Sequence, residues 1–509
     1  MNGKRAYGDY QTPEFFSSMV CQYLKEKRGI KPSVIIEPTC GTGSFVKSSL
    51  IFDASEIMGI EINPEYCRIC GKTICDSRVH IINADFFSFN FKSVIREKEH
   101  FLIVGNPPWA NNSTLSVLNS DNLPEKVNFK GLKGIDAITG ASNFDICEYI
   151  ILRLIATLYG TNATIAMLCK TSVARNVFIE MKRTHIEFVS CDIFEFNANK
   201  VFGINVSACL LVIELRENSY SAESCNVYSF DNPEKTKYSF GYINGKLYSD
   251  IVKRADDFSG NCCFEWRQGV KHDCSKIMEL SLKGSSFVNG FKEPVEIEGE
   301  YVFPLMKSSM FKAPVVNNFS KHVIVTQKRI REDTSHIKTD APKTWAYLTS
   351  HKEYFSKRKS SIYKGAPDFS MFGIGEYSYA KYKVGVSGFC KKPLFSVIVS
   401  ADQTPVMTDD TSYFICFPTY DMAYVAMLIL NSWRVQQFLL TIAFLDAKRP
   451  YTKKVLERID FHKILRVIKA ADLINTERQL RLKKYFDEKM LNDFKYLPEL
   501  RQESLMTYI

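Results

Sequence analysis

Short apolar segments recur in the first part of the chain at intervals of about 20 residues, and a polar or acidic residue ends most of them. Strands at this spacing, with helix-length segments between them, are typical of a parallel sheet whose two faces are covered by helices. The pattern continues with a predicted helix over residues 144–158 and two further strands. We therefore predict an α/β fold for this region, with strands at residues 34–37, 57–62, 80–83, 101–104, 163–168 and 207–215.

A chain of 509 residues is too long for one ordinary domain. The alternating pattern gives way to a polar segment at residues 216–223, and beyond it the sequence is irregular, with short strand-like pieces such as residues 394–399. From about residue 420 the sequence becomes helical. We predict an α/β domain over 1–218, an α+β domain over 219–420, and a helical C-terminal part of that second domain over 421–509.

The positive charge of the chain is concentrated in one region. The net charge is +10, and residues 301–400 hold 17 Lys and Arg against 6 Asp and Glu, together with 16 aromatic residues. Basic residues interleaved with aromatic ones suit a polyanion whose backbone is neutralised and whose bases are contacted. A solvated basic surface would have the same composition, so charge alone leaves both interpretations open.

Cysteine usage and hydropathy favour a soluble protein of the cytoplasm. Fifteen cysteines are scattered along a chain that begins without an apolar signal-peptide core, which predicts reduced thiols. The longest apolar stretch, residues 423–445, is interrupted by polar side chains, so we interpret it as a buried helix and predict no membrane span. The interrupting residues are Asn431, Arg434, Gln436 and Gln437.

Two groups of cysteines invite a zinc interpretation, but neither offers two ligand pairs at zinc-finger spacing. We therefore predict no metal. The residues in question are Cys67, Cys70 and Cys75 in the first group, and Cys262, Cys263, His272 and Cys274 in the second.

The first two candidate site motifs follow the first two predicted strands, where open α/β sheets bind their ligands. Residues 37–45, EPTCGTGSF, form a turn whose two glycines, Gly41 and Gly43, allow a ligand to approach the backbone closely. The third glycine of the dinucleotide fingerprint is missing, so phosphate binding is not favoured. Glu61 ends the second strand, where an acid can accept hydrogen bonds from ribose hydroxyls. Taken singly, a glycine turn is often only structural, and an isolated acid is more often a cap or a surface charge.

The next two motifs follow the third and fourth strands. Asp85 could accept a hydrogen bond from an exocyclic amine and Phe86 could cover a purine, although a single phenylalanine is more often part of the core. The sequence Asn106-Pro107-Pro108-Trp109 is more specific. Two prolines fix the backbone and remove two donors, so carbonyl acceptors can point outward beside the Asn106 amide and the Trp109 ring. Such a site can hold a planar amine.

In this order the motifs resemble those of the S-adenosylmethionine-dependent amino-methyltransferases of DNA, a class I family, in its γ-type arrangement. The resemblance covers about the first 215 residues. In addition to the four motifs above it includes residues 7–13, residues 143–145 and residues 201–206, which are similar to the tenth, fifth and eighth motifs of the family. One departure is Thr39-Cys40, where relatives often carry small residues; no necessary group is lost.

The resemblance implies a Rossmann-like class I methyltransferase fold with a mixed seven-stranded sheet, followed by an α+β target-recognition domain. It also implies S-adenosylmethionine as cofactor and assigns roles to individual residues. The implied catalytic residues are Asn106, Pro107, Trp109 and Phe202. The implied cofactor-binding residues are Thr12, Pro13, Glu37, Thr39, Gly41, Gly43, Glu61, Ile62, Asp85, Phe86 and Asn106.

The implied reaction is direct methyl transfer to an exocyclic amine of a DNA base. Asn106 and the Pro107 carbonyl would accept the two amine hydrogens and stabilise the developing positive charge. The base must be flipped out of the duplex, and Trp109 and Phe202 would then sandwich it. Asn at the first motif position favours adenine N6, whereas the cytosine-N4 enzymes usually carry Ser there. N4-cytosine methylation is the alternative.

Residues 220–509 are expected to recognise double-stranded DNA, with the basic window on phosphates. The family also implies the protective methylase of a restriction–modification system, with a cognate restriction endonuclease as functional partner, and we predict a monomer. Alternatives are a methyltransferase of protein glutamine, a non-catalytic DNA-binding or specificity protein, and an additional nuclease in the C-terminal half. Candidate phosphate contacts are Lys328, Arg329, Arg331, Lys381, Lys383, Lys391 and Lys392, each of which could equally be solvated surface.

Overall fold

The computed structural model describes residues 11–96, 99–109, 145–217, 222–253 and 257–501. The chain divides into two compact units, residues 1–252 and residues 253–509. Each unit has its own sheets and its own buried core.

The first unit is built on one large sheet. Among the described residues it has ten strands, in the order β10-β9-β8-β6-β7-β5-β4-β1-β2-β3. Their bounds are β1 Val34–Glu37, β2 Glu56–Glu61, β3 Val79–Asn83, β4 His100–Gly105, β5 Asn162–Lys170, β6 Ser190–Asn197, β7 Ser207–Leu215, β8 Ser224–Ser229, β9 Asn232–Ile243 and β10 Lys246–Tyr248.

Strands β1 to β5 run parallel to one another. Val34, at the start of β1, pairs with Glu56 of β2 on one side and with Phe101 of β4 on the other. Strand β7 is antiparallel to its neighbours β5 and β6. Strands β1, β4, β5 and β7 are buried along almost their whole length, as expected for a sheet covered on both faces. The predicted α/β fold is confirmed, and each of the six predicted strands is present within one or two residues of its predicted ends.

The implied mixed seven-stranded sheet corresponds to β1 to β7, and the sheet continues beyond it. Strand β8 pairs in parallel with β6, and β9 and β10 follow as antiparallel neighbours, so three further strands extend the sheet beyond β6. The predicted domain boundary at 218/219 therefore falls inside the first unit, whose last strand ends at Tyr248. The physical reason is main-chain hydrogen bonding along the edge of β6, which joins 224–248 to the first sheet despite the polar segment that precedes them.

Helices cover the two faces of this sheet. Asn63 caps α3 by accepting a hydrogen bond from the Glu65 N–H, with Pro64 in the first turn, and Asp145 caps α4 through the Cys147 N–H. A π-helical turn, Tyr23–Lys27, continues the first helix, and 3₁₀ turns lie at Ser49–Ile51 and Phe91–Ser93. The helices are α1 Glu14–Gln22, α2 Ser44–Ser48, α3 Pro64–Thr73, α4 Ile146–Leu158, α5 Thr171–Arg183 and α6 Ala198–Phe202.

The second unit contains two smaller sheets. One has the order β11-β21-β18-β19-β16 and the other β14-β13-β12-β17-β15-β20 among the described residues. Most pairings are antiparallel, and the strands are short. They are β11 Arg267–Gln268, β12 Glu279–Lys283, β13 Ser286–Val288, β14 Pro294–Val295, β15 Val302–Met306, β16 Val315–Val316, β17 Lys321–Ile324, β18 Tyr382–Ser387, β19 Ser396–Ile398, β20 Met407–Thr408 and β21 Ser412–Phe417.

The helices of the second unit gather toward its C-terminal end, as predicted. They are α7 Ser275–Met278, α8 Ile337–Asp340, α9 Pro342–Ser350, α10 Lys352–Ser356, α11 Tyr420–Asn431, α12 Trp433–Ile442, α13 Lys453–Leu456, α14 Phe461–Val467, α15 Ala470–Gln479, α16 Glu488–Lys495 and α17 Pro498–Arg501. Short 3₁₀ turns lie at Gly299–Tyr301, Ser308–Met310, Ser361–Tyr363 and Glu376–Tyr379.

The apolar stretch at 423–445 covers most of α11 and all of α12, which meet at an angle of 62°. Helix α11 is buried along most of its length and packs on β18, β19 and β21. In the described part of the chain no single helix is long and apolar enough to span a membrane, and only this bent pair reaches that length and composition when taken together.

Candidate active site

The glycine turn joins β1 to α2 and lies over the end of β2. The Cys40 N–H donates to the Ile60 carbonyl at 2.8 Å, which holds the turn against the neighbouring strand. Gly43 has φ +88°, and a Cβ there would lie 2.8 Å from the Cys70 sulfur. Any other residue would therefore be strained in its backbone and crowded by α3.

The carboxylate of Glu61 is held in a fixed orientation at the end of β2. Its Oε2 accepts from the Gly41 N–H and its Oε1 accepts from the Asn63 N–H, each at 2.8 Å. The next side chain, Ile62, is apolar yet 45% exposed. The end of β2 thus presents an oriented acid next to an apolar surface, which suits a ligand with hydroxyls and a flat ring.

Glu37 has a more internal position than Glu61. Its Oε2 accepts from the Val46 N–H of α2 at 2.9 Å, so it ties strand β1 to the following helix. Burial raises the pKa of Glu37 well above its usual range, and Cys70 and Glu61 add to the shift. Glu37 therefore stabilises the glycine turn by joining the strand before it to the helix after it.

The N-terminal segment reaches the same turn. Gln11 Oε1 accepts from both the N–H and the hydroxyl of Thr42, at 3.1 and 2.9 Å. Thr12 is buried, and Pro13 precedes α1, where its carbonyl accepts from the Phe16 N–H. The family resemblance implied that this segment lies near the cofactor, but the sequence did not single out Gln11. Residues 7–10 of the motif lie outside the described residues.

Thr39 has a buried hydroxyl at the start of the turn. Its Oγ1 has no hydrogen-bond partner within the described ranges. A buried hydroxyl of this kind costs stability unless a further group satisfies it, so it is consistent with a ligand at the turn.

Asp85 and Phe86 follow β3. Asp85 Oδ1 accepts from the Phe87 N–H at 2.9 Å and shapes the local turn. The Phe86 ring is only 5% exposed, packs against Phe91 at 5.2 Å and has the Arg153 guanidinium 5.4 Å from its centroid. The ring is thus part of a core cluster, and its contact with a purine stays a prediction.

The Asn106-Pro107-Pro108-Trp109 segment leaves β4 at the same edge as the glycine turn and Glu61, because β1, β2 and β4 are parallel. Trp109 is 7% exposed, and its Nε1–H donates to the Leu168 carbonyl at 3.3 Å. Asn106 is half-buried and Pro107 buried. The fixed tryptophan anchors the end of a segment whose acceptors belong to Asn106 and Pro107.

A lysine that the sequence did not reveal supports this segment. Lys170 Nζ lies 2.8 Å from Asp145 Oδ2 and 3.4 Å from the Trp109 carbonyl oxygen. Asp145 was predicted as part of the fifth motif, but its ion pair with a residue at the end of β5 carries no sequence signal. The other two residues of that motif, Asn143 and Phe144, lie outside the described residues.

Phe202, at the end of α6, lies beside Trp109. The two ring centroids are 5.4 Å apart and the planes meet at 74°, an edge-to-face contact. Phe202 also contacts Phe16 and Phe196. The predicted pair is therefore brought together, the edge-to-face contact leaves no space for a base between the rings, and a sandwich around a flipped base stays a prediction.

The predicted phosphate contacts have different environments. Lys383 is 1% exposed and donates to the carbonyls of Ser378, Ala380 and Val406, and burial lowers its pKa to about 8. Its predicted contact with DNA is wrong, since the ammonium is enclosed within the second unit. Arg329 is exposed and paired with Glu376 at 3.2 Å. The remaining candidates are exposed: Lys328, Arg331, Lys381, Lys391 and Lys392.

Within the described residues, no group of three or more His, Cys, Asp or Glu side chains is arranged to hold a metal ion. The strand ends and helix α6 present oriented acceptors and aromatic rings. These are the carboxylate of Glu61, the Asn106 amide, the main chain of Pro107, and the rings of Trp109 and Phe202.

Comparison with known proteins identifies the family. The family described as N-6 DNA Methylase matches residues 1–242. The type II methyltransferase M.NspV of Nostoc sp. is 38% identical over 477 residues, which cover 91% of this chain and 98% of that protein. The chain belongs to the N6 DNA methyltransferases of type II restriction–modification systems. It is a site-specific DNA methyltransferase that acts on adenine N6.

A more distant relative and one solved structure are also similar to this methyltransferase. The type II methyltransferase M.CvrRI of Paramecium bursaria Chlorella virus XZ-6E is 24% identical over 214 residues, 41% of this chain and 48% of that protein. The structure of the type IIL restriction–modification enzyme MmeI in complex with DNA matches with a TM-score of 0.51 and 14% identity, covering 96% of this chain and 75% of that one. The predicted fold class is confirmed.

Proposed function

We propose that this methyltransferase moves a methyl group from S-adenosylmethionine to the N6 of an adenine that has been flipped out of a specific double-stranded DNA sequence. The observation that carries the proposal is the common edge of β1, β2 and β4. The glycine turn, the oriented Glu61 carboxylate and the Asn106-Pro107 acceptors all lie at the carboxyl ends of these strands.

The residues at this edge fit the cofactor. Glu61 offers a fixed acceptor for ribose hydroxyls, and exposed Ile62 offers an apolar surface for the adenine ring. Gln11 and the glycine turn bring the N-terminal segment close, beside the unsatisfied hydroxyl of Thr39. When bound, S-adenosylmethionine supplies an electrophilic methyl group on a sulfonium.

Asn106 and Pro107 provide the chemistry at the target amine. The lone pair of an exocyclic amine is delocalised into the base, which makes the nitrogen a poor nucleophile. Acceptors at the Asn106 Oδ1 and the Pro107 carbonyl would bind the two N–H groups and stabilise the positive charge that develops on the nitrogen. Holding the nitrogen in line with the methyl group lowers the entropic part of the barrier.

Flipping the base requires a change at Phe202. Unpairing and unstacking cost a few kcal/mol, which stacking inside the pocket must offset. Since Trp109 is anchored through Leu168 and Phe202 lies at the end of a five-residue helix, Phe202 is the ring that moves to admit the adenine. The Trp109 and Phe202 rings then separate and lie on opposite sides of the adenine.

The wider role follows the relatives. We infer that the second unit recognises the DNA sequence, that the chain acts as a monomer on each strand in turn, and that it protects DNA from a cognate endonuclease in the cytoplasm. M.NspV, aligned over nearly the whole of both chains, carries a type II methyltransferase name and supports this inference.

The test uses purified protein, unmethylated duplex DNA and S-adenosylmethionine labelled in its methyl group, with digestion to nucleosides and chromatography. Label in N6-methyladenosine that is lost in Asn106→Ala is the expected result. Label in N4-methylcytosine would overturn the base assignment, and cofactor binding without label in DNA would overturn the substrate. Absence of cofactor binding by calorimetry would favour a non-catalytic DNA-binding protein.

A further inference from the structure

Two loops of the second unit, far apart in sequence, meet at one exposed ring, and two cations of the second loop lie over it. The first loop follows β18 and contains Phe389, Lys391 and Lys392; the second follows α12 and contains Lys448 and Arg449. Phe389 is 39% exposed, so its ring is open to solvent. We call these five residues the Phe389 surface.

The ring of Phe389 joins the two loops. The Arg449 guanidinium lies 5.1 Å from its centroid and the Lys448 ammonium 6.0 Å, both within the range of a cation–π contact. Arg449 also donates to the main-chain carbonyl of Asp410 at 3.4 Å. The ring therefore contacts two cations, and the Arg449 guanidinium makes two contacts, one with the ring and one with the Asp410 carbonyl.

The four cations of the Phe389 surface differ from those exposed lysines of the second unit that are paired with acids. In the described part of the chain none of the four makes an ion pair with a carboxylate, whereas Lys352 pairs with Asp368 at 2.6 Å and Lys357 with Glu353 at 3.5 Å. Lys391, Lys392 and Lys448 are exposed and Arg449 is half-buried. An unpaired cluster of like charge is electrostatically unfavourable by itself, and a polyanion would relieve it.

We propose that the Phe389 surface binds the phosphate backbone of double-stranded DNA. This inference rests on the proposed function, because it takes the DNA substrate from it. Lysine and arginine side chains at a DNA backbone displace condensed counterions, and each neutralised phosphate adds to the salt dependence of binding. The surface contributes affinity and orientation rather than choice of sequence.

The test measures how the affinity for a fluorescent duplex of arbitrary sequence depends on salt, for the full-length chain. The slope of log K against log salt is negative, and each lost phosphate contact reduces its magnitude by about 0.9. Lys448→Gln/Arg449→Gln and Lys391→Gln/Lys392→Gln are therefore each expected to reduce the magnitude by about 1.8. Phe389→Ala keeps all four charges and is expected to weaken binding by about 2- to 5-fold, the equivalent of a cation–π contact of about 0.5–1 kcal/mol, with an unchanged slope.

The matched control is Lys352→Gln/Lys357→Gln, which removes the same charge from two exposed lysines that already have carboxylate partners. Its slope is expected to stay at the wild-type value. An equal loss of slope in the control would show that only net charge matters, and wild-type slopes in both test variants would place the contact elsewhere; either result overturns the inference. Lys391 and Lys392 are exposed, so the variant that replaces this pair keeps the test valid if the Arg449 variant folds poorly.

Failure of this inference is distinguishable from failure of the proposed function. If the wild-type protein methylates duplex DNA while the variants bind like the wild type, only the Phe389 surface is rejected. If the wild-type protein neither binds nor methylates duplex DNA, the proposed function falls as well. In the expected case the variants raise KM for DNA and leave kcat unchanged, because the contact is made equally in the ground state and the transition state.

Discussion

The ammonium of Lys170 lies 2.8 Å from the carboxylate of Asp145 and also donates to the main-chain carbonyl of Trp109. One side chain at the end of β5 therefore connects the residue that caps α4 with the last residue of the Asn106–Trp109 segment. The acceptors proposed for the target amine thus belong to a segment whose last residue is held by the Lys170 ammonium.

We expect Lys170→Met to lower kcat by about 10- to 100-fold with little change in KM for S-adenosylmethionine, because a small displacement of a positioned group is costly in rate. Lys170→Arg, which keeps a charged donor, should recover part of the loss. Steady-state kinetics on labelled DNA would measure both. Lys47→Met, which breaks an exposed ion pair with Glu14 in the same unit, is the control and should behave like the wild type. A rise in KM for S-adenosylmethionine with an unchanged kcat would contradict the positioning role.

Glu61→Gln should weaken S-adenosylmethionine binding by about 10- to 100-fold. The carboxylate uses both oxygens to accept main-chain N–H groups, and an amide would turn a donor toward one of them while losing a charged acceptor worth about 1.5–3 kcal/mol. Isothermal calorimetry would measure the change. Glu65→Gln, an exposed acid on α3 paired with Arg68, should bind the cofactor normally. Equal effects of the two substitutions would exclude a specific role for Glu61.

Lys383→Met should destabilise the protein without altering its salt-dependent DNA binding. Three carbonyls would lose their buried donor at about 1–3 kcal/mol each, so a loss of at least about 3 kcal/mol is expected. Denaturant titration would measure the loss. Lys381→Met, two residues earlier and exposed, should unfold at the wild-type midpoint. A stable Lys383→Met protein with a reduced salt slope would return this residue to the DNA surface.

His272 should make the second unit sensitive to acid. Burial, assisted by Lys307 and Arg358, lowers the pKa of His272 to about 4, and its Nδ1 accepts from the Cys274 N–H. The unfolded chain takes up this proton near its ordinary pKa of about 6.5, so stability is full above that pH and falls as the pH decreases toward 4, by about 3 kcal/mol in all. Thermal unfolding followed between these pH values should show the decline, and His272→Gln should flatten it. An unchanged decline in that variant would assign it to carboxylates instead.

The sequence predicted the catalytic half well because its signals are local. Each predicted strand is a short apolar run, and Glu61 and Asn106 directly follow such runs, so the parallel arrangement places them at one edge. Strands β8 and β9 were missed because their pairing depends on the edge of β6 and their sequence is polar, including Pro233 and alternating charges at the start of β9.

Two errors have a common origin in long-range packing. Lys383 lies on β18, whose two faces are both buried, so the usual alternation of exposed and buried residues fails there. The link between Lys170 and Asp145 joins residues 25 positions apart and depends on how α4 and β5 meet. No spacing rule predicts such a contact, because it is determined by tertiary structure.

The three-strand extension of the first sheet has a practical consequence for anyone who wishes to exchange recognition halves between related enzymes. In a chimaera joined near residue 218, β8 and β6 would come from different parents, and their pairing could be lost. The unpaired backbone edge of β6 would then promote aggregation. A junction at 252/253 keeps every pairing of that sheet within a single parent. Chimaeras made at the two junctions should therefore differ in solubility before they differ in the DNA that they modify.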